Sequence, residues 1–273
     1  MSTTRTQAAG GEQPAAGAPP RRVVAVADSH VVMEGAGVPV RRVLPSRVAT
    51  YDLVDPFLLL DDFQMEVDPQ SPAFPPHPHR GFEIITYLLE GAASHSDSEG
   101  NTAVVSAGGL QRITAGRGIW HGEGPGGQAP GRVRGLQLWI NLARAEKQIA
   151  PSYQTVEADQ IPVRRIGDAT VRVLVGEGSP TTLRTPAIYY DVQLPPGGRA
   201  TLPIPEGYQG FAYVLEGEAI LGSNEATVRA GQLAVLGEGG PLSAAGGAGG
   251  ARFVLGAGRP HREPVRWYGP FVD

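Results

Sequence analysis

Two pairs of candidate metal ligands stand out in the chain: His77 and His79 around Pro78, and His121 and Glu123 around Gly122. Each pair is spaced i, i+2, and in an extended strand alternate side chains point to one face. Each pair therefore presents two donors in one direction, and two such pairs on neighbouring strands could close four donors around a single ion. Three imidazoles and one carboxylate make a mixed nitrogen and oxygen set that suits iron, nickel, manganese or copper at least as well as zinc. The chain has six histidines, so half of them sit in ligand spacing. It has no cysteine, which excludes thiolate ligands, disulfides and a cysteine nucleophile.

Holding such pairs in register requires strands, and the composition supplies them. Of 273 residues, 41% are hydrophobic and 18% charged, the balance of a globular protein with a sizeable core. Strand-length apolar runs recur between turn residues drawn from 38 glycines and 25 prolines. They include Glu83–Leu89, Ala103–Val105, Gln111–Thr114, Leu136–Leu142, Thr170–Val175, Ala187–Leu194, Phe211–Leu215, Ala219–Leu221, Leu233–Leu236 and Arg252–Leu255. The first strand signal is at Val23–Val26, and Arg144–Ile149 is expected to form a short helix. The chain therefore reads as all-β, with the even strand spacing of a sandwich or barrel. Residues 1–21, rich in Ala, Gly, Pro, Thr and Gln, read as a disordered tail.

The net charge of -4 speaks against direct nucleic-acid binding. No apolar run approaches the roughly 18 residues of a membrane span. The N-terminus lacks the apolar core of a secretory signal, so the cytoplasm is the expected compartment. Gly116, Gly118 and the glycines around Pro125 do not make a phosphate loop, because no Lys with a following Ser or Thr accompanies them. The arginine pairs, Arg41-Arg42 among them, read as solvated surface, and His95 as a solvated turn histidine.

The sequence also repeats. Tyr87-Leu88-Leu89-Glu90-Gly91 returns 126 positions later as Tyr213-Val214-Leu215-Glu216-Gly217, and Ala107-Gly108-Gly109-Leu110 returns as Ala230-Gly231-Gln232-Leu233. Two similar β domains are implied, 22–150 and 151–273. The same shift sets Pro203 and Pro205 opposite His77 and His79, and puts Gly247 and Gly249 near His121 and Glu123. The second copy is thus expected to keep the scaffold without the site.

Several stretches together resemble the pirin family, two-domain members of the cupin superfamily. They are Asp55-Pro56-Phe57-Leu58-Leu59-Leu60-Asp61-Asp62-Phe63, His77-Pro78-His79-Arg80-Gly81-Phe82-Glu83, Thr114-Ala115-Gly116-Arg117-Gly118-Ile119-Trp120-His121 with Glu123, and Gly135-Leu136-Gln137-Leu138-Trp139-Ile140-Asn141-Leu142. The ending, Glu263-Pro264-Val265 and Tyr268-Gly269-Pro270-Phe271-Val272, is similar too. The resemblance implies two tandem cupin barrels, with one metal ion, usually iron, held in the first by His77, His79, His121 and Glu123. It also implies one of two roles. The first is a quercetin 2,3-dioxygenase, which opens a flavonol ring with O2 and releases carbon monoxide, with Glu123 both ligand and base. The second is a redox-responsive regulatory protein that binds a protein partner. A monomer is expected. Glu83 is expected beside an imidazole N–H rather than on the ion. Gln137 is expected to face a cavity with Phe63 and Phe82 as walls, and Trp139 to lie in the core.

Overall fold

The computed structural model describes residues 18–67, 74–127 and 131–273. Apart from a short helix at Tyr51–Val54 and a 3-10 turn at Arg144–Glu146, its regular elements are strands. Among the described residues no helix is long and apolar enough to cross a membrane.

The large sheet of the first half runs Ser152–Val156, Leu110–Thr114, Phe82–Glu90, Gly131–Asn141, Phe57–Val67, Val38–Leu44, His30–Glu34. The corresponding path in the second half runs Val23–Asp28, Gln232–Leu236, Gln209–Leu221, Leu242–Gly258, Ala187–Leu194, Ala169–Val175, Val163–Ile166. The two orders match strand for strand, as the repeat implies. A four-stranded sheet, Phe74–His79, Ile119–Pro125, Ala92–Asp97, Thr102–Ser106, closes the first barrel.

The division expected at residue 150 is crossed in both directions. Val23–Asp28 pairs with Gln232–Leu236 in the second sheet, and Ser152–Val156 pairs with Leu110–Thr114 in the first. Each half lends the other its edge strand. Of the tail expected through residue 21, residues 18–21 are described. Arg21 is buried, and its guanidinium donates to the carbonyls of Gly240 (2.8 Å), Tyr208 (2.7 Å), Gly237 (2.9 Å) and Pro205 (3.2 Å). The remaining residues of that expectation, 1–17, lie outside the described residues.

The repeated tyrosines explain why their motif recurs. Tyr87 donates its hydroxyl to Asp191 across the interface (2.8 Å), and Arg252 donates to the same carboxylate (2.8 Å). In mirror fashion Tyr213 donates to Asp62 (3.0 Å), which also accepts from Arg134 (3.0 Å). Around these buried, charge-assisted hydrogen bonds, Leu60, Ile85 and Leu138 of the first barrel pack with Phe211, Leu233 and Val254 of the second.

The register also corrects the expected correspondence between halves. Ile119 pairs with His79 and His121 with His77, as Leu242 pairs with Leu202 and Ala244 with Ala200. The counterparts of His77, His79 and His121 are therefore Ala200, Leu202 and Ala244, not the prolines and glycines reached by a uniform shift. All three are buried in an apolar core with Ala212, Val214 and Phe253. Where the first barrel carries imidazoles, the second is filled with aliphatic side chains.

Candidate metal centre

His77 and His79 lie on Phe74–His79, and His121 and Glu123 lie on the adjacent antiparallel strand Ile119–Pro125. The i, i+2 spacing turns the histidines inward from neighbouring strands. Donor atoms of His77, His79 and His121 come within 4.8 Å of one another. Those of His95, His121 and Glu123 do the same, so His121 belongs to both groups.

The imidazoles are prepared for a cation. Burial, then the neighbouring His77, draws the His79 pKa down to about 3. Burial, then His79 and His77, draws His121 down to about 2. Both are neutral at ordinary pH, the form that binds a metal. Nδ1 of His77 lies 2.8 Å from the Pro75 carbonyl, and Nδ1 of His79 lies 3.4 Å from that of Pro270. A proton on Nδ1 facing each carbonyl leaves Nε2 with its lone pair toward the centre. His121 is nearly inaccessible, yet neither of its ring nitrogens has a hydrogen-bond partner. An unsatisfied buried polar group costs about 1–3 kcal/mol, and an ion between the imidazoles would relieve it. The residues fit a divalent ion.

Glu123 is held by amides. Its carboxylate accepts from Gln137 Nε2 (3.0 Å) and from Gln111 Nε2. Tyr153 in turn donates to Gln111 Oε1 (3.0 Å), and Trp139 Nε1 donates to Gln137 Oε1 (3.1 Å). Burial pushes the Glu123 pKa up.

A cavity of about 530 Å3 opens beside this cluster, walled by His77, His79, Glu123, Gln137, Trp139 and Trp267 among others. Gln137 thus lies where the alternation of its strand sets it, and Phe63 also lines the space. Phe82 does not: fully buried, it stacks on Trp139 at 4.3 Å and backs the cavity from inside the core. Trp139, expected as core, both packs there and faces the cavity, with its ring 4.9 Å from that of His79.

Glu83 departs from its expected place. Gly81, at φ +91°, breaks the strand after His79, so residue parity reverses. Phe82 and Ile84 now join the cluster around Trp139, while Ile85 and Tyr87 join the interface core. Glu83 turns with the latter and accepts from Thr114 Oγ1 (2.8 Å) and from the backbone N–H groups of Arg184 (2.9 Å) and Thr185 (3.3 Å). It anchors the segment leading into the second barrel rather than an imidazole. His95 is corrected as well: it is buried, within a strand, and stacked on Tyr153 at 4.3 Å.

Two wall elements were not visible in the sequence. Arg42, read as solvated surface, lines the cavity while paired to Asp61 (2.7 Å) and Glu34 (2.7 Å). Trp267 arrives from the C-terminal hairpin, which is tied to the histidine strand by Arg80 and Asp273 (2.8 Å) and by the backbone bond from Val272 N to Arg80 O (3.0 Å). Only the presence of tryptophan near the end of the chain hinted at this.

Two tandem β-barrels, of which among the described residues only the first carries a buried histidine cluster, define a bicupin with one candidate centre there. The "Pirin" family model matches residues 37–140, and the "Pirin C-terminal cupin domain" model matches residues 189–273. A pirin-like protein of Solanum lycopersicum is 43% identical over 259 residues, covering 93% of this chain and 87% of that one. A putative quercetin 2,3-dioxygenase of Pseudomonas aeruginosa is 38% identical over 264 residues, covering 92% and 91%. Among solved structures, a quercetin 2,3-dioxygenase of Acinetobacter baumannii superposes with a TM-score of 0.83 at 29% identity, covering 92% of this chain and 91% of that chain. The chain belongs to the pirin family.

Proposed function

We propose that the chain is a metal-dependent dioxygenase of the quercetin 2,3-dioxygenase type, acting on a flavonol-like phenol and O2. The observation that carries the reading is the meeting of neutral, unpartnered imidazole nitrogens with an aromatic-walled cavity large enough for a three-ring substrate. The names borne by the Pseudomonas and Acinetobacter relatives support it.

His77, His79 and His121 would hold the ion, with Glu123 as the carboxylate donor. Iron(II) is the first candidate, and nickel, copper, manganese or zinc suit the same donors. When bound, the ion supplies a Lewis-acid centre that favours the deprotonated phenol and brings it together with oxygen. The protein's own groups do the rest. Glu123 borders the cavity and accepts the 3-hydroxyl proton, while Gln111 and Gln137 hold its carboxylate in place. Trp139 and Trp267 offer flat apolar faces to the substrate rings and keep water away from them.

The test is aerobic loss of flavonol absorbance by protein loaded separately with iron, nickel, copper or manganese. Turnover that disappears in His121→Leu, and falls in Glu123→Gln with the ion retained, supports the assignment. No turnover with any of the metals would contradict it.

A regulatory protein with a protein partner is a second reading, favoured by one observation. Trp120 is 56% exposed although it lies between Ile119 and His121, so a change at the ion would be felt at a surface aromatic residue. A pulldown partner that depends on metal redox state, with no turnover, would favour it.

A further inference from the structure

We propose that His95, His121 and Glu123 form a second station for the ion, sharing His121 and Glu123 with the site completed by His77 and His79. The proposal rests on the metal reading above and adds to it a residue outside the expected ligand set.

His95 stands opposite Glu123 in the ladder between Ala92–Asp97 and Ile119–Pro125. It is only 3% exposed. Its ring is fixed on two sides. Tyr153, on the strand lent by the second half, stacks on it at 4.3 Å and 10°. Its Nε2 lies 3.1 Å from Asp97 Oδ2, and Asp97 is itself held by Asn101 Nδ2 (2.9 Å) and by the backbone N–H of Glu99 (3.0 Å). A carboxylate that orients one imidazole nitrogen and leaves the other free is the usual support of a metal-binding histidine. The free nitrogen is present: His95 Nδ1 is buried without a partner, and its ring centre is 5.5 Å from that of His121. A purely packed histidine would satisfy that nitrogen, because leaving it bare costs about 1–3 kcal/mol.

The two stations exclude each other. A neutral imidazole offers one lone pair, its other nitrogen carrying the proton, so His121 serves one ion at a time. The stations also differ in donors and in access. The first joins His77 and His79, which both wall the cavity, to His121 and Glu123. The second replaces those two imidazoles with His95, which is 3% exposed and is not part of the cavity wall. An ion there exchanges two cavity-wall imidazoles for one buried imidazole.

Cobalt(II) is the probe, read by equilibrium dialysis and by visible absorption, which responds to coordination number and donor type. Wild-type full-length chain should take one equivalent. His79→Ala should still take one, with a changed spectrum, because the second station survives. His79→Ala/His95→Ala should take none at a cobalt concentration that saturates the single variant. Circular dichroism of the metal-free variants checks their fold, and where His95→Ala does not fold, His95→Gln, whose amide still donates to Asp97, replaces it with the same expected loss. Complete loss of cobalt in His79→Ala alone, or equal binding by the single and double variants, overturns the inference while leaving the first station intact. Wild-type protein that takes no cobalt overturns the proposed function and this inference together.

Discussion

Without metal, acid should weaken this fold through His121, and the size of the effect can be worked out. Burial, then the neighbouring His79, His77 and His95, draws the folded-state pKa of this histidine down to about 2, against about 6.5 for a free imidazole. Below pH 6.5 the unfolded chain binds a proton that the folded protein refuses, so stability falls as pH falls. At pH 5 the difference for this one group is RT ln(1 + 10^1.5), about 2 kcal/mol. At pH 8 it vanishes. Replacing His121 by Leu removes the titrating group, leaves every other ionisable group in place and fills similar space with an apolar side chain. Urea unfolding of chelator-treated protein at pH 8 and pH 5 gives the two free energies for each form. Between these pH values the wild type should lose about 2 kcal/mol more than His121→Leu. An equal loss in both forms would show that His121 is protonated in the folded state, and the picture of a ready neutral ligand would fail.

Other outcomes follow from the same geometry. Tyr213→Phe removes the hydroxyl that Asp62 accepts across the interface, and should cost about 1.5–3 kcal/mol in chemical unfolding. Tyr87→Phe, facing Asp191, should cost a similar amount. Gly81→Ala should be poorly tolerated, because the buried residue sits at φ +91° and a Cβ would collide with the Val272 carbonyl. A loss of more than about 1 kcal/mol, with earlier proteolysis at the C-terminal hairpin, is the expected result. Ions that bind the native state alone should raise its stability by about 2.7 kcal/mol at a hundred times the dissociation constant, visible as a melting shift that chelator reverses.

The repeat and the ligand pairs were legible because each depends on short-range pattern. Tyr87 and Tyr213 mark equivalent strands, and the i, i+2 histidines need only an extended backbone to converge. What failed depends on breaks in that pattern. Gly81 reverses strand parity, so Glu83 faces the interface although it shares odd numbering with His77 and His79. The strand Leu242–Gly258 contains Ala244-Ala245-Gly246-Gly247-Ala248-Gly249-Gly250, a run of poor strand formers held extended by pairing with Gln209–Leu221. His95 lies among Ser, Asp and Gly residues that read as a turn, yet its strand pairs on both sides, with Ile119–Pro125 and Thr102–Ser106. The exchange of edge strands, and the arrival of Trp267 and Arg42 at the cavity, are long-range contacts that no local window contains.

One ion is expected to be gripped in the first barrel and none in the second. Calorimetric titration of metal-free protein with nickel(II) tests it directly. One equivalent per chain is expected, and none after His121→Leu, since His121 is common to both candidate triads. Two equivalents, or binding unchanged in that variant, would contradict it.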